Sequence, residues 1–162
     1  MPRLLLLLPL LMLLAACQND APPPPDPEPA ENIIPFRVDG SLDFLREGEL
    51  LLTIDIEIAA TDSARLRGMM QRTSFPDRSG MLFPDSLETI QQFWMGNTPL
   101  ALDLLFIDAD SQIVDFAKYA QPFSAQTISS KVPAQHVLEV PAGFSDTHGL
   151  IETDRVRWRR NE

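Results

Sequence analysis

The feature that most constrains the fold is an N-terminal leucine run, because it separates the first sixteen residues from the folded domain. Residues 1–16 hold one cation, Arg3, then an almost unbroken apolar stretch from Leu4 to Leu14, then two alanines. That stretch is about half of the roughly 20 residues that a helix needs to cross the hydrocarbon core of a membrane. The pattern therefore predicts a signal peptide over residues 1–16 rather than a permanent membrane span.

The only cysteine of the chain, Cys17, follows this run directly. Leu14-Ala15-Ala16-Cys17 resembles the lipobox of bacterial lipoproteins, in which the cysteine is lipidated and becomes the mature N-terminus. The resemblance implies a membrane anchor on Cys17 with two acyl chains, enough for stable attachment. Gln18 stands where an Asp would resemble the inner-membrane retention signal, which favours the inner leaflet of the outer membrane. No cysteine remains for disulfides, so a hydrophobic core alone has to stabilise the domain.

Residues 17–35 are predicted to be a lipidated cysteine followed by a proline-rich tether. Positions 18–35 hold seven of the fifteen prolines of the chain. Proline-rich chain prefers extended polyproline II, at about 3.1 Å per residue, so the tether holds the domain away from the bilayer. Residues 36–162 remain, enough for a single globular domain.

The mature chain is acidic. Without the signal peptide, 12 Lys and Arg residues face 23 Asp and Glu residues, a net charge of −11. Proteins bind nucleic acid by neutralising phosphates with Lys and Arg, so an acidic surface argues against a nucleic-acid partner.

Apolar and polar residues alternate along the globular region, which indicates strands. Residues 52–58 predict one strand, with isoleucines on one face and Thr, Asp and Glu on the other. Asp39-Gly40 predicts a tight turn, and Thr61 or Asp62 predicts the cap of a helix that runs to about Gln71. Further strands are predicted over residues 80–83, 89–95, 100–107, 112–118, 137–140 and 155–158, with one helical turn within 143–149. The predicted fold class is α+β, mostly β: a compact antiparallel β-sandwich or barrel-like domain with one main α-helix.

Several separated motifs follow one another in a distinctive order. They are Arg67-Gly68-Met69-Met70, Gly80-Met81-Leu82-Phe83, the stretch from Phe93 to Thr98, the stretch from Leu102 to Asp108, Pro122, Val137-Leu138-Glu139, Ala142-Gly143 and Asp154-Arg155-Val156. In this order and spacing they resemble the bacterial and archaeal family known as domain of unknown function 192. The resemblance covers roughly residues 53–156. It implies a small β-rich domain, commonly exported, with no established reaction. One departure is Gly96, where the family usually has a lysine.

Asp103 interrupts an apolar strand, where an unpaired carboxylate is costly to bury. We therefore expect Asp103 to be buried and to accept hydrogen bonds from Arg67, Trp94, Asn97, Thr98 or nearby backbone amides. Such a network either pins the turn and the sheet, which is the interpretation we favour, or forms a polar cleft for a ligand beside Trp94. A catalytic Asp103 is a third interpretation.

Four methionines, at positions 69, 70, 81 and 95, lie within 27 residues. Thioethers are soft ligands that can hold Cu(I), but methionine is more often a flexible core residue. Met69 and Met70 are also adjacent, so a helix would not point both at one site. The expectation is core packing, with no bound metal.

Other signatures of catalysis or metal binding are weak. His136 and His148 are twelve residues apart and do not have the spacing of a zinc site. The serines include no Gly-x-Ser-x-Gly motif. Asp103, Asp108, Asp110 and Glu139 are among many carboxylates, but glycosidases need two at a defined separation.

The sequence thus predicts a non-enzymatic accessory or ligand- or partner-binding domain at the cell envelope, without catalytic residues or a cofactor. Two alternatives stay open. One is an envelope glycan hydrolase that uses paired carboxylates, and the other is a copper-handling protein that uses the methionines.

Overall fold

The computed structural model describes residues 34–162, so the predicted signal peptide, Cys17 and nearly all of the tether lie outside the described residues. The elements of the domain are β1 (Gly40–Arg46), β2 (Glu49–Ile58), α1 (Asp62–Arg67), β3 (Ser79–Phe83), β4 (Gln92–Phe93), β5 (Leu102–Ile107), β6 (Ile113–Ala120), β7 (Ile128–Ser129), β8 (His136–Pro141), α2 (Phe144–Thr147) and β9 (Arg155–Arg160). No helix within residues 34–162 is long and apolar enough to cross a membrane.

Seven strands form one sheet in the order β6-β5-β8-β3-β2-β1-β9, and β4 pairs with β7 in a separate ribbon. Within residues 34–162, only β2 and β3 run parallel, joined by the crossover that contains α1, and every other pair is antiparallel. The prediction of a mostly β, mainly antiparallel domain is confirmed. In the part of the chain that the structure describes, the sheet does not close into a barrel.

The two faces of the sheet carry separate hydrophobic cores. Along β5, Leu102, Leu104 and Phe106 join one core, and Leu105 and Ile107 join the other, as expected for a period of two. We call the first the α1-side core, because Ala64 of α1 packs against it. The second is the α2-side core, since it contains Phe144 of α2. Each fully buried large side chain contributes about 1.5–3 kcal/mol, so strands buried on both faces supply much of the stability.

The first hairpin turn lies elsewhere than the sequence suggested. Gly40 is not in a turn but is the first residue of β1, where a Cβ atom would collide with the carbonyl oxygen of Arg159. The turn joins β1 to β2 through Glu47 and Gly48, whose φ angles of 52° and 85° suit a two-residue hairpin loop. The prediction of a turn at Asp39-Gly40 is therefore wrong. Glycine at position 40 allows the backbones of β1 and β9 to approach closely.

The helix is shorter than predicted, and one predicted strand is reduced. Thr61 caps α1 by accepting a hydrogen bond from the amide of Ala64, at 3.2 Å. The helix then ends at Arg67 because Gly68 adopts a positive φ of 47° and donates its amide to the carbonyl of Ala64. Of the strand predicted over residues 89–95, only Gln92–Phe93 is regular, with an isolated bridge at Thr89.

Candidate functional site

Asp103 is fully buried on the α2 side of the sheet, and its carboxylate binds backbone amides. Oδ1 accepts from the amides of Tyr119 (2.9 Å) and Gly143 (3.1 Å), and Oδ2 accepts from the amide of Ser145 (3.1 Å). The expected burial and pairing of Asp103 are confirmed. Through these partners Asp103 links β5 to the end of β6 and to the start of α2, so its role is structural.

The other predicted site residues lie apart from the Asp103 carboxylate. None of Arg67, Trp94, Asn97 or Thr98 donates to it, and the odd-numbered residues of β5 face away from the α1-side core. The predicted network of five residues is therefore not one cluster.

Three of those residues line a small cleft on the α1 side. The cleft has a volume of about 40 Å³. Its walls are Arg65, Leu66, Arg67, Gly68, Met69, Met70, Phe83, Phe93, Trp94, Thr98 and Glu139. We call it the Glu139 cleft. Asn97 does not line this cleft. Its φ of 58° is left-handed, and its carbonyl accepts a hydrogen bond from the amide of Gln71 at 2.7 Å.

Two glycines shape the walls of the Glu139 cleft. Gly68 turns the chain at the end of α1 and passes close to Phe83, whose ring lies 3.4 Å from where a Cβ would be. Gly96 is covered by the indole of Trp94, since three ring carbons would lie within 2.7 Å of a Cβ at that position. Where the family usually has a lysine, this chain therefore has a residue whose missing side chain leaves room for the indole.

Glu139 is the one ionisable group of the cleft that lies inside the sheet. It is 5% exposed, and its Oε2 finds no hydrogen-bond partner among the described residues. Its neighbours across β3 and β5 are Met81 and Leu104, both apolar. Burial raises the pKa of Glu139 to about 8, an effect that the positive charge of Arg72 only partly offsets. Glu139 therefore holds a proton at neutral pH.

A buried ion pair lies beside Glu139 in the same row of the sheet. Glu57 of β2 is opposite Met81, and its Oε1 accepts from the Arg72 guanidinium at 2.8 Å. Arg72 is 4% exposed and Glu57 6%. At the rim, Arg65 pairs with Asp85 at 3.0 Å, while Arg67 is exposed.

Sequence reasoning did not select Glu139, Arg72 or Glu57 as site residues. The signal for Glu139 was present, because it interrupts the apolar run of β8 just as Asp103 interrupts that of β5. Glu57 was assigned to a polar strand face, but Arg72 after α1 and Arg37 before β1 both contact its carboxylate and cover it.

The methionines and histidines lie in separate, packed environments. Met69, Met81 and Met95 are buried in the α1-side core, as expected, whereas Met70 is only half-buried and lines the Glu139 cleft. His136 Nδ1 accepts from the amide of Asp85 at 3.2 Å, and His148 packs on Phe144. Within residues 34–162 there is no group of three or more His, Cys, Asp or Glu side chains that could hold a metal ion.

The chain belongs to the family of domain of unknown function 192 (DUF192), described as "Uncharacterized ACR", which matches residues 44–158. Four of the family motifs, those at Arg67, Gly80, Phe93 and Val137, each supply walls of the Glu139 cleft. Positions far apart in the sequence thus converge on one site.

Two solved structures share the fold. One, from Sinorhizobium meliloti, is provisionally described as a transcription regulator; it is 31% identical, with a TM-score of 0.71 over 76% of this chain and 95% of that one. The other, a protein of unknown function from Novosphingobium aromaticivorans, is 27% identical, with a TM-score of 0.68 over 73% of this chain and 84% of that one. No curated protein matches.

Substitution of Asp103 tests whether its three hydrogen bonds stabilise the fold. We expect Asp103→Ala to lower the free energy of unfolding by about 3 kcal/mol or more, because three buried amides lose their acceptor at roughly 1–3 kcal/mol each. Asp103→Asn keeps one acceptor oxygen, so its loss should be smaller. Urea unfolding of both variants measures the difference. If both variants unfold at the same urea concentration as the wild type, Asp103 does not stabilise the fold.

Proposed function

We propose that this protein is a non-enzymatic ligand- or partner-binding module of the cell envelope and that it binds through the Glu139 cleft. The observation that carries the proposal is a buried carboxyl group without a partner, at the point where four family motifs converge. Leaving a buried polar group without a hydrogen bond costs about 1–3 kcal/mol of stability, so the fold alone gives no reason to keep Glu139 at this position. A bound ligand that pairs with the group would recover this stability.

The composition of the cleft supports binding rather than hydrolysis. Among the described residues, Glu139 is the only carboxyl group that lines it. Glycoside hydrolysis uses two carboxyl groups on either side of the scissile bond. The volume of about 40 Å³ is also far below the roughly 300–1,000 Å³ of a pocket that encloses a whole small molecule. The cleft therefore suits one projecting group of a ligand or partner.

A nucleic-acid partner is not part of the proposal, although the Sinorhizobium meliloti neighbour is provisionally described as a transcription regulator. The chain has a formal net charge of −10. Two of its exposed arginines, Arg157 and Arg159, are already paired with Asp43. This balance opposes contact with a phosphate backbone.

For its location we propose lipid attachment at Cys17, on the periplasmic side of the envelope and more specifically in the inner leaflet of the outer membrane. The lipobox-like sequence and Gln18 support this address. The proline-rich tether would hold the Glu139 cleft away from the bilayer, where a soluble or wall-bound ligand could reach it.

The lipid anchor is tested with Cys17→Ala. We expect this variant to take up no labelled palmitate and to leave the detergent phase on partitioning, because Cys17 is the only thiol of the chain. The wild-type protein, labelled in the same cells, is the control. An unchanged lipid label in Cys17→Ala would contradict the anchor.

The binding site is tested with two aromatic variants of similar exposure. Trp94 in the cleft is 52% exposed, and Tyr119 on the α2 side is 50% exposed. Compounds and envelope peptides that raise the melting temperature of the full-length protein are titrated against both variants. We expect Trp94→Ala to weaken binding at least tenfold and Tyr119→Ala to leave it unchanged. Equal affinities for Trp94→Ala and wild type, or turnover of a bound compound, would contradict the proposal.

A further inference from the structure

We propose that the Glu139 cleft binds the carboxylate group of an organic acid, held by hydrogen bonds from Glu139, Thr98 and Arg67. This inference rests on the proposed function, since it names the ligand class of the same site.

The side chains that line the cleft present hydrogen-bond donors, and some of these donors are not used within the fold. Arg65 is already engaged, because it donates to Asp85 and to the carbonyl of Pro84. Arg67 is exposed and forms no ion pair with another described residue, so its guanidinium can donate to a ligand. Thr98 is 4% exposed and supplies a hydroxyl. Donors therefore outnumber acceptors, and the matching ligand group is an acceptor.

The buried carboxyl group of Glu139 adds a further donor to the cleft. Its pKa of about 8 makes it a neutral carboxylic acid at pH 7, with an O–H group as a further donor. An O–H donor facing a carboxylate forms a short, charge-assisted hydrogen bond. The unpartnered carboxyl group thus complements an incoming carboxylate. Because Glu139 is neutral, it does not place a second negative charge beside the ligand.

The charged groups near Glu139 are mostly paired with one another. Arg72 is neutralised by Glu57 of β2, and Arg65 of α1 by Asp85. Arg37 contacts Glu57 as well and is also paired with Asp39. The partners of Glu139 on β3 and β5 are apolar. Arg67 is left as the unbalanced charge, so the cleft carries about one positive charge on a protein of net charge −10. An anion is attracted there, whereas an alkylammonium would meet Arg67.

Size and walls restrict the ligand further. A site needs roughly 10–15 Å³ for each water-sized group, so about 40 Å³ holds about three such groups. A carboxylate carbon and its two oxygens fill that space. Phe93 and the indole of Trp94 then offer apolar surface to the carbon chain outside the cleft. The ligand class is therefore an organic acid with an apolar body next to its carboxylate.

The test uses two small probes of similar size and opposite charge, propionate and n-propylammonium. The full-length protein is titrated with each from pH 6 to 9.5, with the Trp94 indole N–H signal as the readout. We expect propionate to bind with constant affinity below pH 8 and to lose about tenfold per pH unit above it, since only protonated Glu139 donates. Glu139→Gln, which does not titrate, should abolish that loss. Arg67→Gln should weaken propionate binding at every pH, and Arg155→Gln, an exposed arginine on β9, should not.

Three results would overturn the carboxylate assignment. In the first, propylammonium binds and its affinity rises up to pH 8, which would mean that ionised Glu139 holds a cation and that the cleft is still a binding site. In the second, neither probe shifts the Trp94 signal at high millimolar concentration. In the third, propionate binding keeps its pH dependence in Glu139→Gln. The proposed function fails separately, through the Trp94→Ala titrations with the screened ligands.

Discussion

The buried ion pair between Arg72 and Glu57 fixes the chain segment on which the candidate site depends. Besides donating to Glu57, Arg72 donates its amide to the carbonyl of Met69 (3.3 Å) and one guanidinium nitrogen to the carbonyl of Pro35 (3.4 Å). The segment after α1 is thereby held on β2, with Gly68 and Met70 as walls of the Glu139 cleft. Breaking a buried pair by removing one partner typically costs about 3–5 kcal/mol. The walls that Gly68 and Met70 supply to the cleft therefore lie on a segment that this pair helps to hold in place.

Asp103 and Glu139 show how two carboxyl groups in apolar strands can have opposite uses. Asp103 receives three backbone amides and is committed to the fold. Glu139, in the next strand of the same sheet, receives none and keeps its proton because burial disfavours its charge. Glu57 pairs with Arg72, so the row from β2 to β8 holds one paired and one unpaired acid. The unpaired acid is the one that opens on the cleft.

Much of this architecture could be predicted from the sequence, because it follows from local periodicity. Alternation along residues 52–58 predicts a strand with two different faces, and the apolar run over residues 100–107 predicts a central strand. A buried, paired Asp103 follows from the energetic cost of an unpaired carboxylate in that run. The partners of Asp103 could not be predicted, since Gly143 and Ser145 are about forty residues away and only the sheet order brings them close. Trp94 was named as a possible donor because a buried carboxylate needs one, but Trp94 lines the α1 side of the sheet and Asp103 faces the α2 side. The burial of Glu57 depends on a loop contact that has no periodic signature.

The most direct test of the Glu139 cleft is a titration of Glu139 itself. The ¹³C NMR shift of its side-chain carboxyl carbon can be followed from pH 3 to 10 in the full-length protein, with Glu139→Gln identifying the signal. We predict a midpoint near pH 8, as expected for a buried acid without a partner. A midpoint near 4.5, the ordinary value for glutamate, would show that the group is solvated or paired and would contradict a poised, protonated carboxyl group at the centre of the site.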